Sequence, residues 1–267
     1  MDEKKQNRPR GDRASENGIK KEIEDGVIIG RNAVIELLKS ESEVDRVFLR
    51  KGEHDGSLSL ICALAKAKGV PVLEADGRKL DAMACGGVHQ GVAAVIAETA
   101  YLSVQELLEQ TVQKGEKAFF VVCDDVGDPH NLGAIIRSAE CAGANGIIIP
   151  KRHAAGVNAT VAKSSAGAVF HMPIARTANL VSAVRYLKEQ GVWIWAVEAG
   201  GKPYYEQDFT GNTALVMGSE GEGVSRLMKE ECDFLTGIPM FGKINSLNVS
   251  NAAAVLLFEA AKQRHRE

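Results

Sequence analysis

The sequence lacks an excess of basic residues, and this limits how it can contact nucleic acid. Its 267 residues carry 32 Lys and Arg against 35 Asp and Glu, a net charge of −3. Because the chain has no global positive field, any binding of nucleic acid must use local patches of cations. No apolar run approaches the roughly 18 residues of a membrane span, and the N-terminus lacks a signal-peptide core. We therefore expect no membrane partner.

Closely spaced cysteines and familiar catalytic sets are also absent. The five cysteines, at positions 62, 85, 123, 141 and 232, form no CxxC pair. This odd, scattered set argues against a disulfide framework or a zinc site and indicates a reducing, cytoplasmic location. The six histidines complete no Ser-His-Asp or Cys-His set, and we expect no metal.

The composition predicts a soluble globular protein, since 45% of its residues are hydrophobic. Residues 1–25 hold many charges and almost no apolar side chains, which predicts a disordered tail; a basic arm that tethers RNA is the alternative. Short helices and strands alternate over 26–98, as in a small α/β domain. A linker or amphipathic helix is predicted over 99–116, followed by a larger domain over 117–267.

The larger domain begins with a continuous apolar run. Ala118–Cys123 is typical of a strand buried on both faces of a parallel sheet. Repeated strand and helix units follow, including an extended run predicted over 169–174. Parallel sheets bind ligands outside the carboxyl ends of their strands. Polar or glycine-rich loops fall at three such ends: 124–133, 218–223 and 240–248.

The loop Gly218-Ser-Glu-Gly-Glu-Gly223 is not a phosphate cradle of a known kind. No Gly-Lys-Ser/Thr follows it, the spacing differs from a dinucleotide fingerprint, and Glu220 and Glu222 would repel a pyrophosphate. A glycine-rich turn with carboxylates suits a neutral or cationic ligand, such as a sulfonium cofactor. The alternative is a tight strand-to-helix turn with solvated glutamates.

Two polar side chains in the helix after the first strand are candidates for binding. Arg137 lies off the apolar stripe of that helix and is suited to bidentate phosphate binding. Its alternative is a surface salt bridge with Glu140 or an aspartate. Asn131 could equally be a helix N-cap.

The loop over 242–248 precedes an apolar helix that begins near Val249. It is dense in small polar side chains, including Asn245, Ser246 and Asn248. Such side chains commonly cap helices by accepting bonds from backbone N–H groups. The alternative is a ligand loop with a helix N-terminus behind it.

Three segments together resemble the signature motifs of the SpoU/TrmH family of RNA ribose 2′-O-methyltransferases. They are Asn131-Leu-Gly-Ala-Ile-Ile-Arg137, Val216-Met-Gly-Ser-Glu-Gly-Glu-Gly-Val-Ser225, and Ile238-Pro-Met240 with Ser246-Leu-Asn-Val-Ser-Asn-Ala-Ala-Ala254. The resemblance covers about residues 117–264 in the family's order. Gly30-Arg-Asn-Ala-Val34 and His89-Gln-Gly-Val-Ala93 resemble an L30e/L7Ae-like RNA-binding module. Within the family the chain is most similar to RlmB-type 23S rRNA guanosine-2′-O-methyltransferases.

This resemblance implies a SPOUT fold with a deep trefoil knot, S-adenosylmethionine as cofactor and a homodimer with its active sites near the subunit interface. It implies catalytic functions for five residues: Asn131, Arg137, Glu220, Ser246 and Asn248. It places nine residues along the cofactor: Glu198, Ala199, Gly200, Met217, Gly218, Ile238, Met240, Ser246 and Leu247. In the first domain, Arg31 and His89 are candidates for binding RNA; solvated surface cations are the alternative.

The resemblance implies 2′-O-methylation of a guanosine in 23S rRNA, with tRNA as the alternative substrate. The extra N-terminal module favours rRNA. A non-catalytic RNA-binding protein on this scaffold is the alternative from another class. Since a guanidinium stays protonated at neutral pH, Arg137 is assigned first to holding phosphate and polarising the 2′-hydroxyl, and second to proton transfer. Asn131 and Ser246 would position ribose and cofactor, while Glu220 orients Asn131 or Arg137.

Overall fold

The computed structural model describes residues 26–52, 55–96, 101–152 and 155–265. The predicted disordered tail over 1–25 lies outside the described residues. Within the described part, no helix combines the length and apolar character needed to cross a membrane.

Among the residues that the structure describes, the first domain has a four-stranded sheet and three named helices. Its elements are β1 Val27–Ile29, α1 Arg31–Lys39, β2 Val44–Arg50, α2 Gly56–Ala67, β3 Val72–Ala75, α3 Gly77–Ala84 and β4 Val92–Ile96. The strand order is β1-β4-β2-β3, with β4 antiparallel to both neighbours and β2 parallel to β3. Asp55 and Asp76 cap α2 and α3 by accepting backbone N–H bonds. The predicted small α/β domain is confirmed.

The second domain is a six-stranded sheet whose neighbouring strands all run parallel, in the order β10-β8-β9-β5-β6-β7. Its strands are β5 Phe119–Cys123, β6 Gly146–Pro150, β7 Ile174–Thr177, β8 Trp193–Pro203, β9 Thr213–Met217 and β10 Phe234–Gly237. Its helices are α4 Val104–Gln113, α5 Pro129–Cys141, α6 Ala159–Ser164, α7 Leu180–Glu189, α8 Arg226–Glu231 and α9 Val249–Arg264. The predicted parallel sheet is confirmed, and the trefoil knot stays a prediction.

The predicted apolar strand is at the centre of this sheet. Every residue of β5 is buried, which agrees with helices covering both faces. Burial raises the pKa of the Cys123 thiol to about 12, with a contribution from the Asp124 charge. This thiol is therefore part of the packed core and is disfavoured as a nucleophile.

One segment differs from the sequence prediction, and a second forms the amphipathic helix that was predicted as the alternative to a linker. The extended run predicted over 169–174 was wrong, because Ala168–Phe170 is a short 3-10 helix and β7 begins only at Ile174. The backbone amides of Phe170 and His171 close tight turns on the carbonyls of Gly167 and Ala168. Segment 99–116 contains α4, whose Leu107 side chain is buried against the second sheet.

The two domains pack against each other through α1. His171 lies 3.0 Å from the Glu36 carboxylate, and α6 packs against β1 and α1. The Lys39 hydrogen bond is the main cause that lowers the pKa of Glu36, and the bond to His171 adds to it. Buried apolar side chains of both domains belong to one continuous cluster. The first domain thus has a defined position beside the sheet.

Arg264 anchors the end of α9 to the sheet. Its guanidinium donates to the carbonyl oxygens of Lys117 and Gly211, each at 2.7 Å, and stacks 4.9 Å from the Phe119 ring. Burial lowers the pKa of Arg264. We expect Arg264→Met to lower the free energy of unfolding by about 2 kcal/mol, since charged donors contribute more than neutral ones. Urea unfolding would measure this.

The matched control for Arg264 is Arg226→Met, because the Arg226 side chain is 86% exposed and lies 3.6 Å from Glu230. Exposed pairs of this kind contribute about 0–1 kcal/mol. Equal losses in the two variants would show that the carbonyl contacts of Arg264 do not stabilise the fold.

Candidate active site

A cavity of about 390 Å³ lies outside the carboxyl ends of β8, β9 and β10. Eight of the nine residues predicted to lie along a cofactor line it: Glu198, Ala199, Met217, Gly218, Ile238, Met240, Ser246 and Leu247. Gly200, the ninth, lies on β8 two residues beyond Glu198 and is outside the lining. The ends of parallel strands and the loop over 238–248 therefore converge as the sequence predicts.

The turn after β9 presents backbone to this cavity. The amides and carbonyls of Ser219 and Gly223 exchange hydrogen bonds of 3.0 and 3.1 Å, which close the turn. A Cβ on Gly218 would overlap the backbone of Gly223 and Val224. Glycine at 218 is therefore required by the close approach of two backbone segments.

The cavity carries carboxylates but no cation in its lining. Glu198 pairs with Lys229 at 3.0 Å, outside the lining, and accepts a 3.3 Å bond from the backbone N–H of Val224. Glu220 bonds to Asn248, while Glu222 is exposed. This arrangement suits a neutral or cationic ligand better than a phosphate.

A polar network borders the cavity and joins the first, second and third motifs. The Asn248 amide nitrogen donates to Oδ1 of Asn131 at 3.0 Å and to the Glu220 carboxylate. Its Oδ1 accepts bonds from the backbone N–H of Ser250 at 2.9 Å and from the Ser250 hydroxyl at 2.6 Å. Asn248 therefore caps α9, and the capping prediction for this loop is confirmed. The same side chain also links the motifs.

Asn131 is not the N-cap of α5, so that alternative was wrong. Asp128 caps the helix by accepting from the His130 amide at 3.0 Å, and Pro129 occupies the first helical position. Asn131 lies in the first turn, is 7% exposed, and uses its side-chain oxygen to accept from Asn248. Its buried side chain therefore belongs to the polar network that borders the cavity.

Arg137 is absent from both the polar network and the lining of the first cavity. Its exposed side chain lines a second cavity of about 330 Å³, which also contacts Asn32 and Glu36 of the first domain. Among the described residues no carboxylate forms an ion pair with Arg137, so the predicted bridge to Glu140 is not formed. The structure thus assembles Asn131, Glu220, Ser246 and Asn248 without Arg137.

Arg31 and His89 both have partners within the first domain. Arg31 pairs with Asp55 at 2.5 Å and donates to the Gln90 carbonyl at 2.9 Å. His89 lies 3.3 Å from Asp81 with 13% of its side chain exposed. These contacts shape the start of β4, and RNA binding by either residue stays a prediction.

Some lining residues were not predicted from the sequence. They are Val197, Ser219, Gly221, Glu222, Gly223, Asn245, Val249 and Ala252. The turn residues and Asn245 fall inside segments already singled out, so the motifs could have indicated them. Val249 and Ala252 belong to the apolar helix α9, and composition does not distinguish a cavity-facing residue from a core residue there.

Two family models match the chain. One, described as the SpoU rRNA Methylase family, matches residues 118–258. The other, described as RNA 2′-O ribose methyltransferase substrate binding, matches residues 27–102. The chain belongs to the SpoU rRNA methylase family. This membership confirms the predicted family and shows an RNA methyltransferase with an N-terminal substrate-binding domain.

Relatives of this SpoU-family chain match it over most of both chains. YacO of Bacillus subtilis, which carries a TrmH family tRNA/rRNA methyltransferase name, is 42% identical over 89% of this chain and 96% of its own. The AdoMet-bound rRNA methyltransferase of Sinorhizobium meliloti is 26% identical with a TM-score of 0.74, covering 92% and 95%. The SpoU methyltransferase AviRb of Streptomyces viridochromogenes shares the fold, with a TM-score of 0.75 at 24% identity over 95% and 94%.

Proposed function

We propose that this SpoU-family protein uses S-adenosylmethionine to methylate the ribose 2′-hydroxyl of a guanosine in 23S rRNA. The observation that carries the proposal is one cavity built by the second and third motifs, bordered by the Asn131–Asn248–Glu220 network. The substrate-binding domain over 27–102 supports RNA as the substrate, and the match of 118–258 to an rRNA methylase family supports rRNA. Names of relatives include both RNA classes.

The residues present fit S-adenosylmethionine. The cavity of about 390 Å³ is within the roughly 300–1,000 Å³ typical of small-molecule sites. Apolar side chains of Met217, Ile238 and Leu247 can pack against a flat base, and nearby carboxylates suit a cation. When bound, the cofactor supplies a methyl group on a positively charged sulfur.

The polar network provides rigid positioning for the ribose. Asn248 is fixed from four directions, because it bonds Asn131, Glu220, and both the amide and hydroxyl of Ser250. Rigid placement of reacting groups can lower a barrier by roughly 7–11 kcal/mol. Asn131 and Ser246 would position the ribose and the cofactor. Of the two residues that Glu220 was predicted to orient, it orients Asn131, through Asn248, and does not orient Arg137.

Arg137 holds the target phosphate and polarises the 2′-hydroxyl. As the oxygen–carbon bond forms, the bond between the methyl carbon and the sulfonium sulfur would break to leave a neutral thioether, and the hydroxyl proton would pass to water. Its separation from the network within one protomer supports a homodimer in which a second copy brings Arg137 to the site. Phe241 and Ile244, on the loop that lines the cavity, are 94% and 74% exposed. Such a patch suits burial against a second subunit. Light scattering would give twice the mass of one chain.

The substrate is tested by incubating the protein with labelled S-adenosylmethionine and either total rRNA or total tRNA, then mapping the methylated ribose. We expect label on one guanosine of 23S rRNA. Label confined to tRNA would overturn the rRNA assignment. Binding of both RNA classes with no label in either would support a non-catalytic RNA-binding protein.

A further inference from the structure

A group of cations lies at the carboxyl ends of β6 and β7, on the same edge of the sheet as the cofactor cavity. We name Lys151, Arg152 and Arg176 the basic edge. Lys151 follows β6 directly, and its amide donates to the Thr177 carbonyl at 2.8 Å. Arg176, on β7, donates to the Lys151 carbonyl at 3.1 Å. These bonds join the carboxyl ends of the two neighbouring strands.

None of the three cations forms an ion pair with an acid among the described residues. By contrast, Arg185 lies 2.5 Å from Glu231, and Lys188 lies 2.9 Å from Asp233. Lys151 and Arg152 are exposed. In a chain of net charge −3, unpaired and clustered cations form the kind of local patch that RNA phosphates require.

Arg176 gives the basic edge a fixed positive charge. Its guanidinium stacks 4.9 Å from the centre of the Tyr101 ring. The Tyr101 hydroxyl accepts from the Val157 amide at 2.9 Å, so the ring is itself held. The buried Nε of Arg176 has no hydrogen-bond partner among the described residues. Arg176 therefore acts as a positioning residue and raises the local potential beneath Lys151.

The basic edge lies a few nucleotides' length from the cavity. β9, whose end borders the cavity, is followed in the sheet by β5, β6 and β7. At about 4.8 Å per strand, the ends of β6 and β7 lie roughly 10 and 14 Å from that of β9. This distance corresponds to about three or four stacked nucleotides at a rise of about 3.4 Å. Residues 155–158 lead into α6, which packs on the first domain.

Carboxylates at the end of β5 separate the cavity from the basic edge. Asp124 accepts from the Ser225 amide at 2.8 Å, and Asp128 caps α5. Asp125 is exposed beside them. Their charge disfavours a phosphate at the end of β5, so along this edge of the sheet a phosphate is better placed on the β6 and β7 side.

We infer that the basic edge binds backbone phosphates of the RNA substrate a few nucleotides from the methylated ribose, on the side of the substrate-binding domain. This inference rests on the proposed function and adds a second phosphate contact to the one assigned to Arg137. It concerns the catalytic domain's own share of RNA recognition.

The test is the double variant Lys151→Ala, Arg152→Ala in the full chain. Loss of two phosphate contacts is expected to raise the KM for RNA about tenfold and to reduce the slope of log K against log salt by about 1.4. The kcat and the affinity for S-adenosylmethionine should stay at wild-type values. Reversal with Lys151→Glu, Arg152→Glu should weaken RNA binding further.

The matched control is Lys114→Ala, Lys117→Ala, which removes two exposed charges near the opposite end of the sheet. If wild type methylates RNA and the two double variants have equal KM values and equal salt slopes, the basic edge does not bind RNA. If wild type methylates no RNA, the proposed function fails, while salt-dependent RNA binding by the variants still decides the inference.

Discussion

Replacement of Arg137 by alanine is expected to lower kcat for RNA methylation by about 100- to 1,000-fold, the range seen when one donor to a transition state is removed. Affinity for S-adenosylmethionine should be nearly unchanged, because Arg137 is exposed on α5 and absent from the lining of the cofactor cavity. Single-turnover methylation and equilibrium binding of the cofactor would measure the two quantities separately.

Two further variants make this prediction specific to the guanidinium of Arg137. Arg137→Lys keeps the charge but loses the bidentate fork, so it should recover only part of the activity. Arg226→Ala, at an arginine 86% exposed on α8, should leave kcat unchanged. A large loss of cofactor affinity in Arg137→Ala would instead place this residue in the cofactor site.

Mixing two inactive variants would show whether the site is shared between subunits. In random dimers of Arg137→Ala and Glu220→Ala, each mixed dimer has one site with both defects and one with neither. About a quarter of wild-type activity should therefore return if a second copy supplies Arg137. No recovery in co-refolded dimers would mean that Arg137 serves the network of its own subunit.

The sequence could predict where the cavity lies because the rule for parallel sheets is general. Gly218, Met217 and Ser246 were singled out as residues beside strand ends or within motifs, and all three line one cavity. The sequence could also have predicted that Arg137 and Asn131 lie on different faces of α5. Arg137 follows Asn131 by six residues, and at about 100° per residue this rotates its side chain roughly 240° around the helix axis.

Other features depend on contacts between distant parts of the chain. Asn131 and Asp128 are both good capping residues, and only the pairing of Asn131 with Asn248, 117 positions away, shows which one is used in the site. Similarly, Val169 is a residue type that favours strands. In the structure its side chain is buried beside α1 and its amide donates to the Ser165 hydroxyl, and these contacts hold it in a tight turn. The preference of a residue for helix or strand does not predict such contacts with residues distant in the sequence.

Gly218→Ala is expected to reduce affinity for S-adenosylmethionine by about 5- to 140-fold, because overpacking of this kind costs about 1–3 kcal/mol and displaces the cavity wall. A Cβ at this position would overlap the carbonyl group of Gly223 and the amide nitrogen of Val224. These are backbone atoms, so no side-chain rotation can relieve the overlap. Isothermal titration with the cofactor would measure the loss.

The control for Gly218 is Gly127→Ala, at the carboxyl end of the neighbouring strand β5, where a Cβ would meet no atom within 4 Å. Its affinity should match wild type. Circular dichroism must show that Gly218→Ala keeps its helices, since the bonds between Ser219 and Gly223 are local to the turn. A folded Gly218→Ala protein with wild-type affinity would mean that the turn after β9 does not form the wall against which the cofactor packs.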